Sequence, residues 1–212
     1  MVDRYDTSTN PEGQYQPGSN ERVLVNKLDI ISPVEMDEIE LKLLVQLTET
    51  VLGEVEADQF ISTDDLCEWH RRWLGNVYEW AGRYRSVNLG KEGFQFAAAH
   101  LVSGLMQKLN DNFFVIYTPC HQMNESELVE ALAKIHVEII LVHPFREGNG
   151  RLSRLLANIM ALQANYPMLD FSHMDNNREV YFSAIQAGLD DYLPMQKLFK
   201  QVLRDSLRNV DD

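Results

Sequence analysis

The chain is 212 residues long and 45% hydrophobic, with 19 Lys and Arg against 32 Asp and Glu, a net charge of −13. That length and apolar content suffice for one domain with a substantial core, while the negative charge speaks against nucleic acid and anionic membranes, whose phosphates demand clustered Lys and Arg. No N-terminal apolar run resembles a signal peptide and no run of about 18 apolar residues exists to span a bilayer, and Cys67 and Cys120 lie far apart, as free thiols in a reducing compartment would. The expectation is a cytoplasmic protein.

Residues 1–30 read as an N-terminal arm. Its first part is polar, with turn signals at Asn10-Pro11 and Pro17-Gly18, so it is predicted to be disordered or to lie extended on the body. The main domain is placed at 31–212. Ser32-Pro33-Val34-Glu35 is a capping box with Pro at the first helical position, opening a helix to Gly53. A second helix starts at Ser62 or Thr63, with Asp64 and Asp65 suited to its positive end. Trp69, Trp73 and Trp80 follow helical spacing and are read as core rather than as a base-stacking surface. Gly90 to Gly93 is a predicted turn between two short strand-like runs. A helix over about Ala98 to Phe114 comes next. Then Asn124 caps a helix over Glu127–Val142, whose apolar residues recur at Leu128, Leu132, Ile135, Ile139 and Val142. Helical periodicity resumes at Gly150 with Leu152, Leu155, Leu156, Ile159, Met160 and Leu162, and two further helices fall near 178–188 and 194–208. The predicted class is all-α, a helical bundle with a small β-hairpin.

The chemistry concentrates between His143 and Arg154, in the run His-Pro-Phe-Arg-Glu-Gly-Asn-Gly-Arg-Leu-Ser-Arg. Pro144 disfavours helical geometry at His143 and ends the preceding helix at the imidazole, the one group here that takes a proton near neutral pH. Gly148, Asn149 and Gly150 tolerate positive φ, which turns successive N–H groups inward as a nest for phosphate oxygens, and the nest opens onto a helix N-terminus. Arg151 and Arg154 lie three apart in that helix's first turn. Cations there oppose the macrodipole, which makes sense if an anionic partner outweighs the cost; a polyphosphate fits. Glu147, at the lip, suits a divalent cation that bridges phosphates. Taken singly, a His before Pro is more often a helix cap and Gly-Asn-Gly a turn. The arrangement as a whole argues for function. His136 lies two turns before His143, but no zinc-type spacing surrounds it, and no Walker sequence is present.

These residues resemble the signature of Fic-domain proteins, His-x-Phe-x-(Asp/Glu)-Gly-Asn-Gly-Arg-x-x-Arg, with every defined position present. More weakly, Trp80-Ala81-Gly82-Arg83-Tyr84-Arg85, followed by Val87-Asn88-Leu89-Gly90 and Phe94-Gln95-Phe96, is similar to the family's Trp-Ala-Gly segment and its flap hairpin. The resemblance covers about residues 60–200. It implies a Fic fold and Mg²⁺-ATP-dependent transfer of AMP to a Ser, Thr or Tyr hydroxyl of a target protein. His143 would then be the base, Phe145 a loop anchor and Glu147 the Mg²⁺ ligand. Gly148, Asn149 and Gly150 would cradle phosphates, Arg151 and Arg154 would contact the β- and γ-phosphates, and Val87 to Gly90 would dock the target. The related Doc branch, which uses ATP as a kinase would, has Lys where this chain has Gly150. Two alternatives stand beside this reading: transfer of UMP or a phosphoryl group, and a catalytically silent toxin–antitoxin binding module.

The family also implies regulation by a helix carrying Ser/Thr-x-x-x-Glu-Gly/Asn, whose Glu pairs with the last Arg and which is N-terminal, C-terminal or supplied by an antitoxin; separately, it implies self-association. Ser8-Thr9-Asn10-Pro11-Glu12-Gly13 fits that pattern, making Ser8 and Glu12 candidate inhibitory residues. Pro11 forbids one helix across the stretch, though a helix can begin there. An extended tail that happens to fit is the reading we favour.

Overall fold

A helix whose apolar residues wrap most of its circumference belongs in an interior, and Glu125–Val142 (α5) is such a helix, with Glu130, Lys134 and Glu138 as a half-buried polar stripe beyond its first turn. Leu128, Val129, Leu132, Ile135, Val137, Ile139 and Val142 are all buried along it. In this computed structural model, which describes residues 11–91 and 93–211, the other helices assemble around α5. They are α1 (Pro33–Glu54), α2 (Thr63–Leu74), α3 (Val102–Leu109), the short α4 (Val115–Tyr117), α6 (Asn149–Gln163), α7 (Ser172–Asn176), α8 (Arg178–Ala187) and α9 (Leu193–Asp211). Helices α6 and α9 flank α5 directly, and α1 packs on α2, which in turn touches α3 and α6. Burying each Leu or Ile of α5 contributes about 1.5–3 kcal/mol.

The starts of these helices follow their caps. Ser32 accepts the N–H of Glu35 ahead of Pro33. Ser62 with Asp65, and Asn124 with Glu127, form reciprocal capping boxes. Each such cap is worth about 1 kcal/mol. The stretch predicted as one helix over 98–114 is instead three geometries in sequence: a 3₁₀ turn (Ala99–Leu101), α3, and a widened π-helical turn (Asn110–Phe114) that runs into α4. Trp69, Trp73 and Trp80 are core, at 4%, 1% and 2% exposure.

The only sheet among the described residues is a hairpin of β1 (Gly90–Lys91) and β2 (Phe94–Gln95), antiparallel, pairing Gly90 with Gln95 and Lys91 with Phe94. Gly90 is therefore a strand residue and not the start of the turn. Residues 11–30 lie against the body. Tyr15 bridges Leu24, the Lys27 N–H donates to the Val77 carbonyl at 2.8 Å, and Val23 and Ile30 are buried. The buried Asn26 side chain ties this segment together, donating to the Leu24 and Ile30 carbonyls and accepting from the N–H groups of Leu28 and Ile30.

Candidate active site

His143 is the residue at which α5 stops. Its N–H still donates to the Ile139 carbonyl at 2.8 Å, but its own backbone is left-handed, φ 51 and ψ 62, a geometry that lets the chain turn sharply ahead of Pro144. Nδ1 lies 3.3 Å from the Ile140 carbonyl. A carbonyl only accepts, so Nδ1 carries the proton and Nε2 keeps a free lone pair. The ring is stacked on Phe96, with centroids 3.8 Å apart. Burial is the main cause that drives the imidazole down to about 4, helped by the cations of Arg85 and Lys91 and opposed by the Ile140 bond and Glu147.

The buried Arg85 guanidinium holds this corner together. Nε donates to the His143 carbonyl at 2.6 Å and Nη2 to that of Val142 at 3.1 Å, while the same fork reaches the carbonyls of Val87 and Ala97 in the flap. The Arg85 N–H also donates to the Pro144 carbonyl at 2.8 Å. One side chain thus joins the flap to the end of α5.

The loop after His143 is braced from inside. Phe145 is fully buried and stacked on His70 at 4.1 Å. The His70 Nδ1 accepts from Gly82 N–H at 2.7 Å, so its Nε2 carries the proton and donates to the Glu147 carbonyl at 3.1 Å. Burial lowers His70 to about 4, which keeps it neutral in that tautomer. The Asn149 side chain is also turned inward: Oδ1 accepts from Phe145 N–H and Nδ2 donates to the Phe145 carbonyl, both at 2.8 Å. What Asn149 offers an anion is its main-chain N–H.

The nest expected at Gly148 to Gly150 takes a different form. Only Gly148 is left-handed, at φ 82, and Asn149 and Gly150 are already the first residues of α6. No side chain caps that helix, so what this segment can offer an anion is one left-handed glycine followed by an open helix N-terminus. A Cβ on Gly148 would sit 2.6 Å from Trp73, whereas one on Gly150 would meet nothing within 4 Å. Glu147, half-exposed, accepts from Gly148 N–H at 2.9 Å and from Arg151 Nη2 at 3.3 Å.

Both arginines come to the same end of α6, each with a carboxylate. Arg151 pairs with Glu40 of α1 at 2.7 Å and lies over the Trp73 ring. Arg154 pairs with Asp175 of α7, two contacts of 2.6 and 3.1 Å, and lies over Phe171.

Residues 60–161 match the model of the Fic/DOC family. That stretch, just under half of the chain, is a Fic domain by this match. Over 139 residues it is 32% identical to a protein adenylyltransferase of Caenorhabditis elegans, covering 63% of this chain but 25% of that protein. It is 26% identical over 142 residues to the probable protein adenylyltransferase Fic of Escherichia coli, covering 65% of this chain and 67% of that one. A VirB-translocated effector of Bartonella tribocorum, solved with bound AMPPNP, shares the fold at a TM-score of 0.71 with 20% identity, over 94% of this chain and 98% of the other. The chain spans only a quarter of the nematode relative's length.

Within the Fic domain the flap is short. Val87 is buried, the Asn88 side chain accepts from Ala99 N–H at 2.8 Å, and the Leu89 carbonyl accepts from Phe96 N–H at 3.1 Å. Gly90 and Lys91 are exposed, and Lys91 leans on the Phe182 ring at 5.0 Å. The pairing of Glu12 with Arg154 does not occur. A 3₁₀ turn begins at Pro11 and turns the Glu12 carboxylate onto Ser86, whose N–H donates at 2.7 Å; the Glu12 carbonyl accepts from Arg146 Nε at 2.7 Å. Asp175 occupies Arg154 instead. Ser8 lies outside the described residues.

Sequence reasoning missed four contributors to the site: His70, Arg85, Glu40 and Asp175. Two left a readable trace. Glu40 falls on the apolar stripe Met36, Leu47, Val51 of α1, and His70 on the stripe Leu66, Trp69, Trp73 of α2. A titratable group on a core stripe signals a specific partner. Asp175 left none, because an acidic residue on a short polar helix looks like any other.

Proposed function

We propose that this Fic domain transfers AMP from ATP to a Ser, Thr or Tyr hydroxyl of a target protein. The observation that carries the reading is the juxtaposition, in one braced loop, of an imidazole with a free Nε2, an uncapped helix N-terminus and two arginines. Names of relatives on both sides of the animal–bacterial divide support it.

The hydroxyl oxygen attacks the α-phosphorus and the bond to the β-bridging oxygen breaks, releasing pyrophosphate. His143 Nε2 takes the hydroxyl proton. An imidazole lowered to about 4 is unprotonated across the physiological range and is ready to accept. The N–H groups of Asn149, Gly150 and Arg151 face the phosphates, and the bare Cα of Gly150 lets them approach. Arg151 and Arg154 take the β- and γ-phosphates, Arg154 by exchanging the half-exposed Asp175 for phosphate oxygens. Glu147 suits Mg²⁺: it is a single half-exposed carboxylate, and no cluster of three or more ligating side chains exists among the described residues. That donor set fits an ion completed by substrate oxygens, which when bound would neutralise charge on the departing pyrophosphate.

The target backbone adds to the flap around Asn88 to Lys91, where Asn88, Gly90 and Lys91 are exposed and Leu89 is half-buried. Val87 serves from beneath as core. The free thiols Cys67 and Cys120 suit a reducing, cytoplasmic setting, and no helix of the described residues is long and apolar enough to cross a membrane.

The test is transfer to lysate proteins of label from Mg²⁺-ATP carrying isotope at either the α- or the γ-phosphate. Only α-label is expected to transfer. Transfer of γ-label would make the protein a kinase, and displacement of α-label by UTP ahead of ATP would make it a UMP transferase. Absence of both transfer and nucleotide binding would leave a silent binding module.

A further inference from the structure

Helix α1 lies outside the residues that match the family model, yet it sends one carboxylate into the site. Glu40 is 4% exposed and has a partner on each oxygen. Oε1 accepts from the Tyr78 hydroxyl at 2.7 Å, and Oε2 holds Nη1 of Arg151 at 2.7 Å. The Glu40 carbonyl accepts from Trp73 Nε1–H at 2.8 Å, and the Arg151 guanidinium lies over that same indole, 4.7 Å from the ring. Burial, then the charge of Glu40, push the Tyr78 hydroxyl far above its ordinary value, so it remains a donor at every physiological pH.

Stability does not explain this carboxylate. A buried ion pair is often no better than a well-packed apolar pair of the same shape, whereas it does fix the orientation of the groups it joins. Arginine carries its donors in a rigid fork. Glu40 takes one corner of the fork and Trp73 covers one face. The other amino group, Nη2, is left beside Glu147 at the lip of the loop, and the side chain keeps 35% exposure there. The contrast with Arg154 is one of mobility. Asp175 is 48% exposed on a five-residue helix and can swing away when phosphate arrives, but the Glu40 side chain, 5% exposed in a 22-residue helix, cannot.

We infer that Glu40 is a positioning residue, which holds the Arg151 guanidinium in place for the β-phosphate of the nucleotide. Helix α1 thereby sets the distinction between nucleoside mono- and diphosphate. The inference rests on the proposed reading of Arg151 as a phosphate ligand.

The experiment measures binding of AMP, ADP and ATP with Mg²⁺ to the full chain by calorimetry, for wild type, Glu40→Gln and Tyr78→Phe, with thermal unfolding alongside. Glu40→Gln keeps shape and an acceptor but drops the charge. It is expected to weaken ADP and ATP about tenfold, the scale of a charged hydrogen bond lost in orientation, and to leave AMP unchanged. Tyr78→Phe should show the same pattern with a smaller factor, and it decides the matter by the same ratio if Glu40→Gln does not fold. A purely structural role would weaken all three nucleotides alike, and an unchanged ADP-to-AMP ratio in the folded variants overturns the inference. So does tighter ADP binding, which would make Glu40 a competitor of the phosphate. Should wild type bind ADP no better than AMP, the phosphate reading of Arg151 fails first and takes this inference with it.

Discussion

At His143 three constraints meet in one residue: a left-handed backbone, a ring wedged on Phe96, and a carbonyl gripped by Arg85. Together they fix the ring while Nδ1 is occupied and Nε2 keeps its lone pair. Because burial lowers the imidazole to about 4, the acid limb of the pH–rate profile for kcat/KM should fall near that value and not near the ordinary 6.5. A limb at 6.5 would show that the free enzyme's base is solvated. Gly148 is the other decisive residue. Its φ of 82 and the 2.6 Å approach of Trp73 leave no room for a side chain, so Gly148→Ala should cost about 1–3 kcal/mol in thermal unfolding, while Gly150→Ala, with open space around it, should fold normally. The motif residues were legible because each is a chemical type at a fixed spacing. Their conformations were not. Tolerance of positive φ was read at three successive positions, and only Gly148 uses it, since Asn149 spends its side chain on the Phe145 backbone and is already helical.

At the scale of elements, the flap and the end of α5 behave as one unit because the Arg85 fork spans them. Arg85→Lys keeps the charge but cannot satisfy carbonyls that lie in several directions. It should cost about 1.5–3 kcal/mol, speed amide exchange at Phe96 and Ala97, and lower transfer on the order of 100-fold, as a 1 Å shift of His143 would. Unchanged exchange at those amides would mean that the hairpin stands by itself. Helix starts were legible where Ser62 and Asn124 cap them, since caps are local chemistry. The break of the 98–114 segment into 3₁₀, α and π turns was not, because it follows from how Phe114 and Leu109 reach the core rather than from propensity. The hairpin was placed within a residue or two, with the turn drawn two strand residues too wide, at Gly90 and Lys91.

For the whole molecule, buried histidines couple folding to pH. His70 and His136 are lowered to about 4 and about 3, in both cases chiefly by burial. Unfolded, each titrates near 6.5 and binds a proton that the folded state refuses until pH approaches 4. Stability is therefore full above pH 6.5 and declines as pH falls, by up to about 1.4 kcal/mol per histidine for each pH unit. A thermal midpoint that already drops between pH 6.5 and 5, above the range where carboxylates titrate, is expected; a flat midpoint there would mean that water reaches these rings. The bundle as a class was legible from periodicity alone. Its arrangement around the site was not, since the contacts of Glu40 with Arg151 and of Asp175 with Arg154 join segments far apart in the chain. The most direct test compares wild type with His143→Ala for transfer of α-labelled AMP at saturating Mg²⁺-ATP, with ATP binding measured in parallel. ATP binding that survives while transfer disappears is the predicted result; transfer by His143→Ala at a rate near that of wild type would contradict the account.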